Sequence, residues 1–311
     1  MRYIISSILA TLPFAAMAEV PKVITDIPPV HALVSQVMGD LGTPVLLLEK
    51  GADEHDFQLR PSQMRDITGA DLVVWIGPDL TPWLARALEN APAGYTSLTL
   101  LDLEGTATIA RSAAEGDQNA EKAVAESKPP AEAAGDDHGG IDLHAWLNPQ
   151  NAIYWLDMIA AELAKADPPN AAVYHANAVT SKARIAAMDQ ELQAKLAPVK
   201  NRSFVTFHDA YGYFVAQYGL SFAGSVAVSD ASAPGAARLR ALQDTLGQGV
   251  ICAFPEVQHD PALLMQLLQS TDVRAGAPID PVGSSLPFGP DAYDTLMRNL
   301  ATHLLDCLKG A

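Results

Sequence analysis

Short apolar runs alternate with amphipathic stretches in two separate parts of the chain. In the first part, four apolar runs occur at residues 22–25, 45–49, 72–77 and 98–102. In the second part, four more occur at residues 203–207, 220–228, 250–254 and 273–277. The gaps between runs carry helical patterns, most of which begin at or near a proline. This alternation predicts two α/β units, each built on a parallel sheet.

A single long helical pattern, at residues 170–197, separates the two units. Within it, Ile185, Met188, Leu192 and Leu196 recur at spacings of three and four, so they share one helix face. A helix over this range would be about 42 Å long, which is longer than one small domain is wide. We therefore expect a rigid connector that lies against both units.

The predicted fold class is α/β, with two similar lobes that have parallel sheets and are joined by one long rigid helix. Ligands of open parallel sheets bind outside the carboxyl ends of the strands, so a cleft between the lobes is the expected binding place. The predicted boundaries are 1–18 for an export signal, 19–166 for the N-terminal lobe, 167–198 for the connecting helix and 199–311 for the C-terminal lobe.

Two segments follow neither pattern. The first eighteen residues combine Arg2, an apolar stretch and the small-x-small motif Ala16-Met17-Ala18, which predicts a signal peptide and an exported protein. Residues 105–140 are rich in alanine, glycine and acidic residues and hold one histidine, His138. Because such a segment buries too little apolar area to offset its ordering entropy, we expect a mobile acidic loop.

Charge excludes two classes of function. The 311 residues include 20 basic and 36 acidic side chains, which gives a net charge of −16. Nucleic-acid binding and polybasic membrane binding both need clustered cationic surface, so neither is expected.

Export also affects the two cysteines, Cys252 and Cys307, because an oxidising compartment lets thiols pair. A disulfide between them is favoured, and two buried free thiols are the alternative.

The candidate chemistry lies in loops that follow predicted strands. His55, His208 and Asp280 come after three of these strands, and His144 lies between the acidic segment and a helix start. Three imidazoles and a carboxylate form a tetrahedral set that suits zinc or another transition metal. Glu54 is an alternative fourth ligand. Glu256 is either a carboxylate that orients a ligand histidine or a plain charge at the edge of the cleft. Structural or surface positions are expected for the remaining histidines, His31, His175, His259 and His303.

Local motifs across the mature chain resemble the periplasmic metal-binding solute-binding proteins of ABC transporters, cluster A-I, and within them the zinc-specific ZnuA type. The motifs are Glu54-His55-Asp56-Phe57 with Arg60-Pro61-Ser62, residues 70–77, residues 144–149, residues 207–214, Tyr218-Gly219-Leu220 and Ile279-Asp280-Pro281. They occur in the family's order. The combination is specific, although no single motif would be.

The resemblance implies a periplasmic protein that captures Zn²⁺ in the interlobe cleft and delivers it to an ABC-transporter permease. It implies the ligands His55, His144 and His208, with Asp280 as a ligand in some members and only a neighbour in others. It also implies a disulfide between Cys252 and Cys307. Manganese-type relatives commonly have glutamate at the third position, so His208 favours zinc.

This chain departs from the family in the segment at 105–140, which is usually histidine-rich. The expected protein is a monomer and not an enzyme. The alternatives are a manganese or iron carrier of the same family, a zinc-dependent hydrolase and a surface adhesin. Against the hydrolase, the chain has no His-Glu-x-x-His motif.

Overall fold

The computed structural model describes residues 20–110, 140–227 and 235–310. The predicted signal peptide at 1–18 and most of the predicted acidic loop, including His138, therefore lie outside the described residues. Within the described ranges, the chain forms two four-stranded sheets with nine α-helices. None of these helices combines the length and the apolar character that a membrane crossing requires.

The first sheet has the strand order β2-β1-β3-β4, and every neighbouring pair is parallel. Three helices connect these strands, and each begins with proline, which supplies the fixed φ of a first turn and lacks only an N–H that the helix does not use. The elements are β1 (Val23–Thr25), α1 (Pro28–Met38), β2 (Val45–Leu46), α2 (Pro61–Thr68), β3 (Leu72–Trp75), α3 (Pro82–Glu89) and β4 (Thr96–Thr99).

Two helices lead from the first sheet to the second. They are α4 (Pro149–Ala166) and α5 (Ala171–Leu196). The predicted connector is thus real, and its predicted face is buried at Ile185, Met188 and Leu192. At 1.5 Å per residue, the helix is about 39 Å long. It packs against α4 and α1.

The second sheet repeats the first design, with the order β6-β5-β7-β8 and parallel pairing throughout. Its elements are β5 (Ser203–His208), α6 (Gly212–Tyr218), β6 (Phe222–Ala227), α7 (Ala236–Leu246), β7 (Val250–Phe254), α8 (Ala262–Leu268), β8 (Arg274–Ala275) and α9 (Ala292–Lys309). The helical pattern predicted from residue 209 begins only at Gly212. The reason is that His208 still pairs with Ala227 in the sheet, so the chain must turn before a helix can start.

One hydrophobic core extends through both lobes. The buried cluster that contains β1 and β3 continues through α5 into α6 and α9, while a smaller cluster lies under α7 and α8. Hydrogen bonds cross between the lobes as well. The indole of Trp146 donates to the carbonyl of Pro281 at 2.8 Å, and the hydroxyl of Tyr293 donates to the carbonyl of Trp146 at 2.9 Å. A large hinge motion would have to break this shared core.

The disulfide between Cys252 and Cys307 is present. It joins β7 to α9 across a separation of 55 residues. This confirms the pairing favoured by the even number of cysteines and the predicted export. In the chain-entropy model, such a link stabilises the fold by about 4 kcal/mol.

Candidate metal centre

His208 ends β5 at the carboxyl edge of the second sheet, where its side chain is almost fully buried. Its Nδ1 lies 2.5 Å from Oε2 of Glu256, and the hydroxyl of Tyr211 donates to Oε1 of the same carboxylate at 2.9 Å. Because the carboxylate accepts from the ring, the proton is placed on Nδ1 and the lone pair on Nε2. The sheet edge thus presents a fixed imidazole with Nε2 directed away from Glu256.

His144 is held in the same manner from the other lobe. Oδ1 of Asp142 accepts from the ring Nδ1 at 2.8 Å and from the backbone N–H of His144 at 2.9 Å. The hydroxyl of Tyr213 donates to the Asp142 carbonyl at 2.8 Å, which ties this segment to α6. Packing is close at Gly212, because a Cβ there would lie 2.6 Å from Oδ2 of Asp142 and would displace this carboxylate.

His55 lies on the loop between β2 and α2 and is partly exposed. Its backbone N–H donates to Oδ1 of Asp53 at 2.7 Å. The indole of Trp83 donates to the carbonyl of Glu54 at 2.9 Å, and its ring packs edge-on against Phe57 at 5.1 Å. His55 is therefore more accessible to solvent than the buried His144 and His208.

The three histidines meet at one point. Their ligand atoms all lie within 4.8 Å of one another. Nε2 of His144 and Nε2 of His208 are 3.4 Å apart. Two Zn–N bonds of about 2.05 Å at a tetrahedral angle separate the two nitrogens by about 3.3 Å. The spacing of these two imidazoles therefore suits a shared metal ion.

The structure does not bring Asp280 or Glu54 into this group of three histidines among the residues it describes. Both carboxylate oxygens of Asp280 hold a turn: Oδ1 accepts from the N–H of Gly283 at 2.7 Å, and Oδ2 from the hydroxyl of Ser285 at 2.6 Å. The side chain of Gln258 also donates to Oδ1 at 2.8 Å. Glu54 is buried beside His55. The fourth ligand remains a prediction at both positions.

Acidic side chains surround the centre. Asp209 follows His208 and is largely buried. Burial raises the pKa of Asp209, and the nearby charge of Asp142 raises it further, while His144, Arg238 and His208 lower it. Negative charge near the imidazoles favours a cation over an anion in this part of the cleft.

The sequence pointed to the three histidines but missed most of the side chains that orient them. Asp142 was visible only as the residue two positions before His144, and Tyr211 only as part of a motif. Glu256 was predicted as either an orienting acceptor or a plain charge, and its contact with His208 supports the first role. His259 was predicted to be a structural or surface residue and not a ligand, and its Nε2 lies 3.7 Å from Oε2 of Glu256.

Comparison with known proteins gives consistent likenesses. A family model described as the periplasmic zinc-uptake complex component A, ZnuA, matches residues 23–307. The high-affinity zinc uptake system protein ZnuA of Paracoccus denitrificans (strain Pd 1222) is 46% identical over 98% of this chain and 97% of the relative. The protein of the same description from Brucella abortus (strain 2308) is 34% identical over the same shares.

Solved structures share the fold. A manganese-bound periplasmic metal-binding protein from Candidatus Liberibacter asiaticus superposes with a TM-score of 0.74 at 22% identity, over 92% of this chain and 99% of that one. A crystal structure of ZnuA superposes with a TM-score of 0.71 at 24% identity, over 91% and 99%.

Proposed function

The chain belongs to the ZnuA family of periplasmic zinc-uptake components, and we propose that it captures Zn²⁺ and delivers it to an ABC-transporter permease for import. The zinc ion is the cargo of the protein. Catalysis is not part of this function. The alternatives, which are a manganese or iron carrier, a hydrolase and an adhesin, are not favoured.

The observation that carries the proposal is the pair of buried imidazoles from opposite lobes, with Nε2 atoms 3.4 Å apart. Each ring has a carboxylate on Nδ1, so each offers a lone pair to the same point. We propose His55, His144 and His208 as ligands, with Asp280 as the fourth and Glu54 as the alternative. Nitrogen-rich tetrahedral donors favour zinc over manganese, which prefers more oxygen ligands.

Release of the ion has to start at the accessible ligand. His144 and His208 are buried, whereas His55 is on a partly exposed loop. We propose that loading and release of zinc move this loop rather than the lobes. Such a loop movement would expose the ion to a permease without breaking the packing of the long helix α5.

Export and organisation complete the proposal. We propose that a signal peptide ends at Ala18, that the mature chain begins at Glu19 in the periplasm, and that it acts as a monomer. We also propose that the N-terminal lobe ends at residue 166, that the connecting helix covers residues 167–198 and that the C-terminal lobe begins at residue 199. Mass measurement of the exported protein tests the start at Glu19, and light scattering tests the monomer. A mass that retains the first eighteen residues would overturn the cleavage site.

A competition titration tests the metal. Purified, metal-free protein is titrated with Zn²⁺ and Mn²⁺ against a chelator, alongside His144→Ala and a control, His175→Ala, which alters an exposed position on α5. We expect the parent and the control to bind Zn²⁺ more tightly than Mn²⁺. In His144→Ala, we expect the zinc affinity to fall at least a hundredfold. We also expect His208→Glu to shift preference toward Mn²⁺. A parent that prefers Mn²⁺ would overturn the zinc assignment, and unchanged binding in His144→Ala would overturn the site.

A further inference from the structure

A main-chain hydrogen bond ties the loop that carries His55 to the opposite lobe. The N–H of Gly51, four positions before His55, donates to the carbonyl of Ser284 at 3.0 Å. Gly51 belongs to the loop between β2 and α2 in the N-terminal lobe, whereas Ser284 follows β8 in the C-terminal lobe. The bond therefore spans the two lobes on the segment that carries the most accessible ligand candidate.

The acceptor side of this bond is held in place. Ser284 is fully buried, and its Oγ accepts from the side chain of Gln258 at 3.0 Å. It lies in a turn that the carboxylate of Asp280 organises, by accepting from the N–H of Gly283 at 2.7 Å and from the N–H of Ser285 at 2.9 Å. The carbonyl of Ser284 is thus the fixed half of the contact between the lobes.

The donor side depends on a backbone conformation that favours glycine. Gly51 is exposed and has a φ of 76°, in the left-handed region that residues with a Cβ rarely adopt. The N–H of Ala52 donates to the carbonyl of Glu49 at 3.1 Å, which closes a turn around Gly51. A Cβ at residue 51 would meet no heavy atom within 4 Å beyond its chain neighbours. A side chain at this position would therefore act on the backbone conformation and not through a collision.

We propose that Gly51 and Ser284 form an interlobe latch, as positioning residues that keep the His55 loop closed over the metal ion and set the rate of zinc exchange. The latch rests on the proposed function, because it holds the loop whose movement admits and releases zinc. Neither atom of the bond is a ligand candidate, so the latch closes the loop in the empty and in the loaded protein alike.

This arrangement has a kinetic signature. An ion that passes only while the loop is open enters and leaves faster when the latch is weakened. Because the change acts equally on the empty and the loaded protein, the equilibrium affinity stays nearly the same. Loss of a ligand has a different effect, since it speeds release and lowers the affinity.

Gly51→Ala tests the donor side, because alanine is strained at a positive φ. We expect the association and release rates of Zn²⁺, measured by stopped flow, to rise together by about five- to thirtyfold, with an affinity within threefold of the parent's. Gly51→Asn is the conservative rescue, because asparagine tolerates positive φ better, and its rates should lie closer to the parent's.

Gly249→Ala is the matched control. Gly249 is exposed between α7 and β7, has a φ of 85°, and has equally open space around a Cβ. The same strain is thereby introduced away from the His55 loop, and both zinc rates should equal the parent's.

Ser284→Ala tests the acceptor side, because it removes the hydroxyl that anchors this residue to Gln258. We expect zinc release to be about two- to tenfold faster. In the double variant Gly51→Ala, Ser284→Ala, the increase should be smaller than the product of the two single effects, because both changes weaken one bond. Hydrogen exchange of the Gly51 amide, followed by NMR in the metal-free protein, should be slow in the parent and faster in Ser284→Ala.

Thermal unfolding of each metal-free variant checks that it folds. The latch is overturned if Gly51→Ala releases zinc no faster than Gly249→Ala, if the two single effects multiply in the double variant, or if the Gly51 amide of the parent exchanges without protection. It is also overturned if the affinity of Gly51→Ala falls as far as its release rate rises, which would indicate a lost ligand. A parent that fails to bind zinc would instead overturn the proposed function.

Discussion

Replacing Glu256 by glutamine probes how the protein fixes the ligand atom of His208. In the parent, Oε1 of Glu256 accepts from Tyr211 at 2.9 Å and Oε2 accepts from Nδ1 of His208 at 2.5 Å. Glutamine has one acceptor oxygen, so one of these contacts must face an amide NH₂ group. If the NH₂ group faces His208, Nδ1 has to accept and the ring proton moves to Nε2, where it blocks the metal. If it faces Tyr211, the His208 contact survives as a weaker, uncharged bond.

The size of the effect follows from these two outcomes. Loss of a carboxylate that orients a metal-bound histidine typically costs a factor of about 10 to 100 in metal affinity. At about 1.4 kcal/mol for each factor of ten, this corresponds to about 1.4 to 2.8 kcal/mol. We place Glu256→Gln in this range, because the His208–Glu256 contact is buried and the single oxygen cannot serve both partners.

Asp142→Asn provides a matched comparison at the other buried ligand. There, Oδ1 alone accepts from both the ring Nδ1 and the backbone N–H of His144. The single oxygen of asparagine can keep both bonds, and only the charge is lost. We therefore expect Asp142→Asn to weaken metal binding by less than about tenfold, which is a smaller loss than in Glu256→Gln.

The assay is a chelator competition titration of both variants and the parent with Zn²⁺, at constant pH and salt. Glu162→Gln serves as a control, because this carboxylate pairs with Lys165 on α4 and lies outside the metal centre. Thermal unfolding of each metal-free protein separates lost affinity from lost structure. Equal affinities for Glu256→Gln and the parent would show that the carboxylate does not orient His208. A larger loss in Asp142→Asn than in Glu256→Gln would refute the argument from acceptor number.

Three further predictions concern stability and release. Replacing Cys252 and Cys307 by serine should lower the free energy of unfolding by about 4 kcal/mol, measured by urea denaturation. Burial raises the pKa of Asp26 to about 7, so the native state holds this proton more tightly than the unfolded state does. The contribution of this bound proton to the free energy of unfolding is complete below pH 3.8, the pKa of the carboxyl group in the unfolded state, and is lost as pH rises to 7. The loss is at most about 4 kcal/mol. Trp83→Phe removes the hydrogen bond to the His55-bearing loop and should speed zinc release about two- to tenfold, measured by stopped flow.

Each of these has its own control. For the disulfide, the parent under reducing conditions should match the serine variant, and equal stability of the oxidised parent would contradict the prediction. For Asp26, the pH dependence of unfolding between 4 and 7 should be weaker in Asp26→Asn, and identical slopes would contradict the assignment. For Trp83, the control is Trp75→Phe, which loses a similar indole hydrogen bond, at 2.9 Å, to Ser97 on β4 instead of to the loop. Equal release rates in the two tryptophan variants would count against a role for Trp83 in holding the loop.

The periodicity of apolar residues was sufficient for most of the fold. Both parallel sheets and the long helix follow from local patterns, since strand and helix periods are properties of neighbouring residues. Element ends were less certain. His208 was expected just after its strand, whereas pairing with Ala227 keeps it within β5.

The sequence by itself determined which residues were candidates. His55, His208 and Asp280 follow predicted strands, His144 precedes a predicted helix, and all four lie in motifs that resemble a known family. Only the tertiary structure decided how they meet. It brought Nε2 of His144 to 3.4 Å from Nε2 of His208, placed the carboxylate of Glu256 against Nδ1 of His208, and formed hydrogen bonds between Asp280 and Ser285. It also placed His259 beside Glu256. The physical reason is that hydrogen bonds between residues 48 or 64 positions apart depend on how the sheets and the shared core pack, and no local period of the sequence encodes that packing.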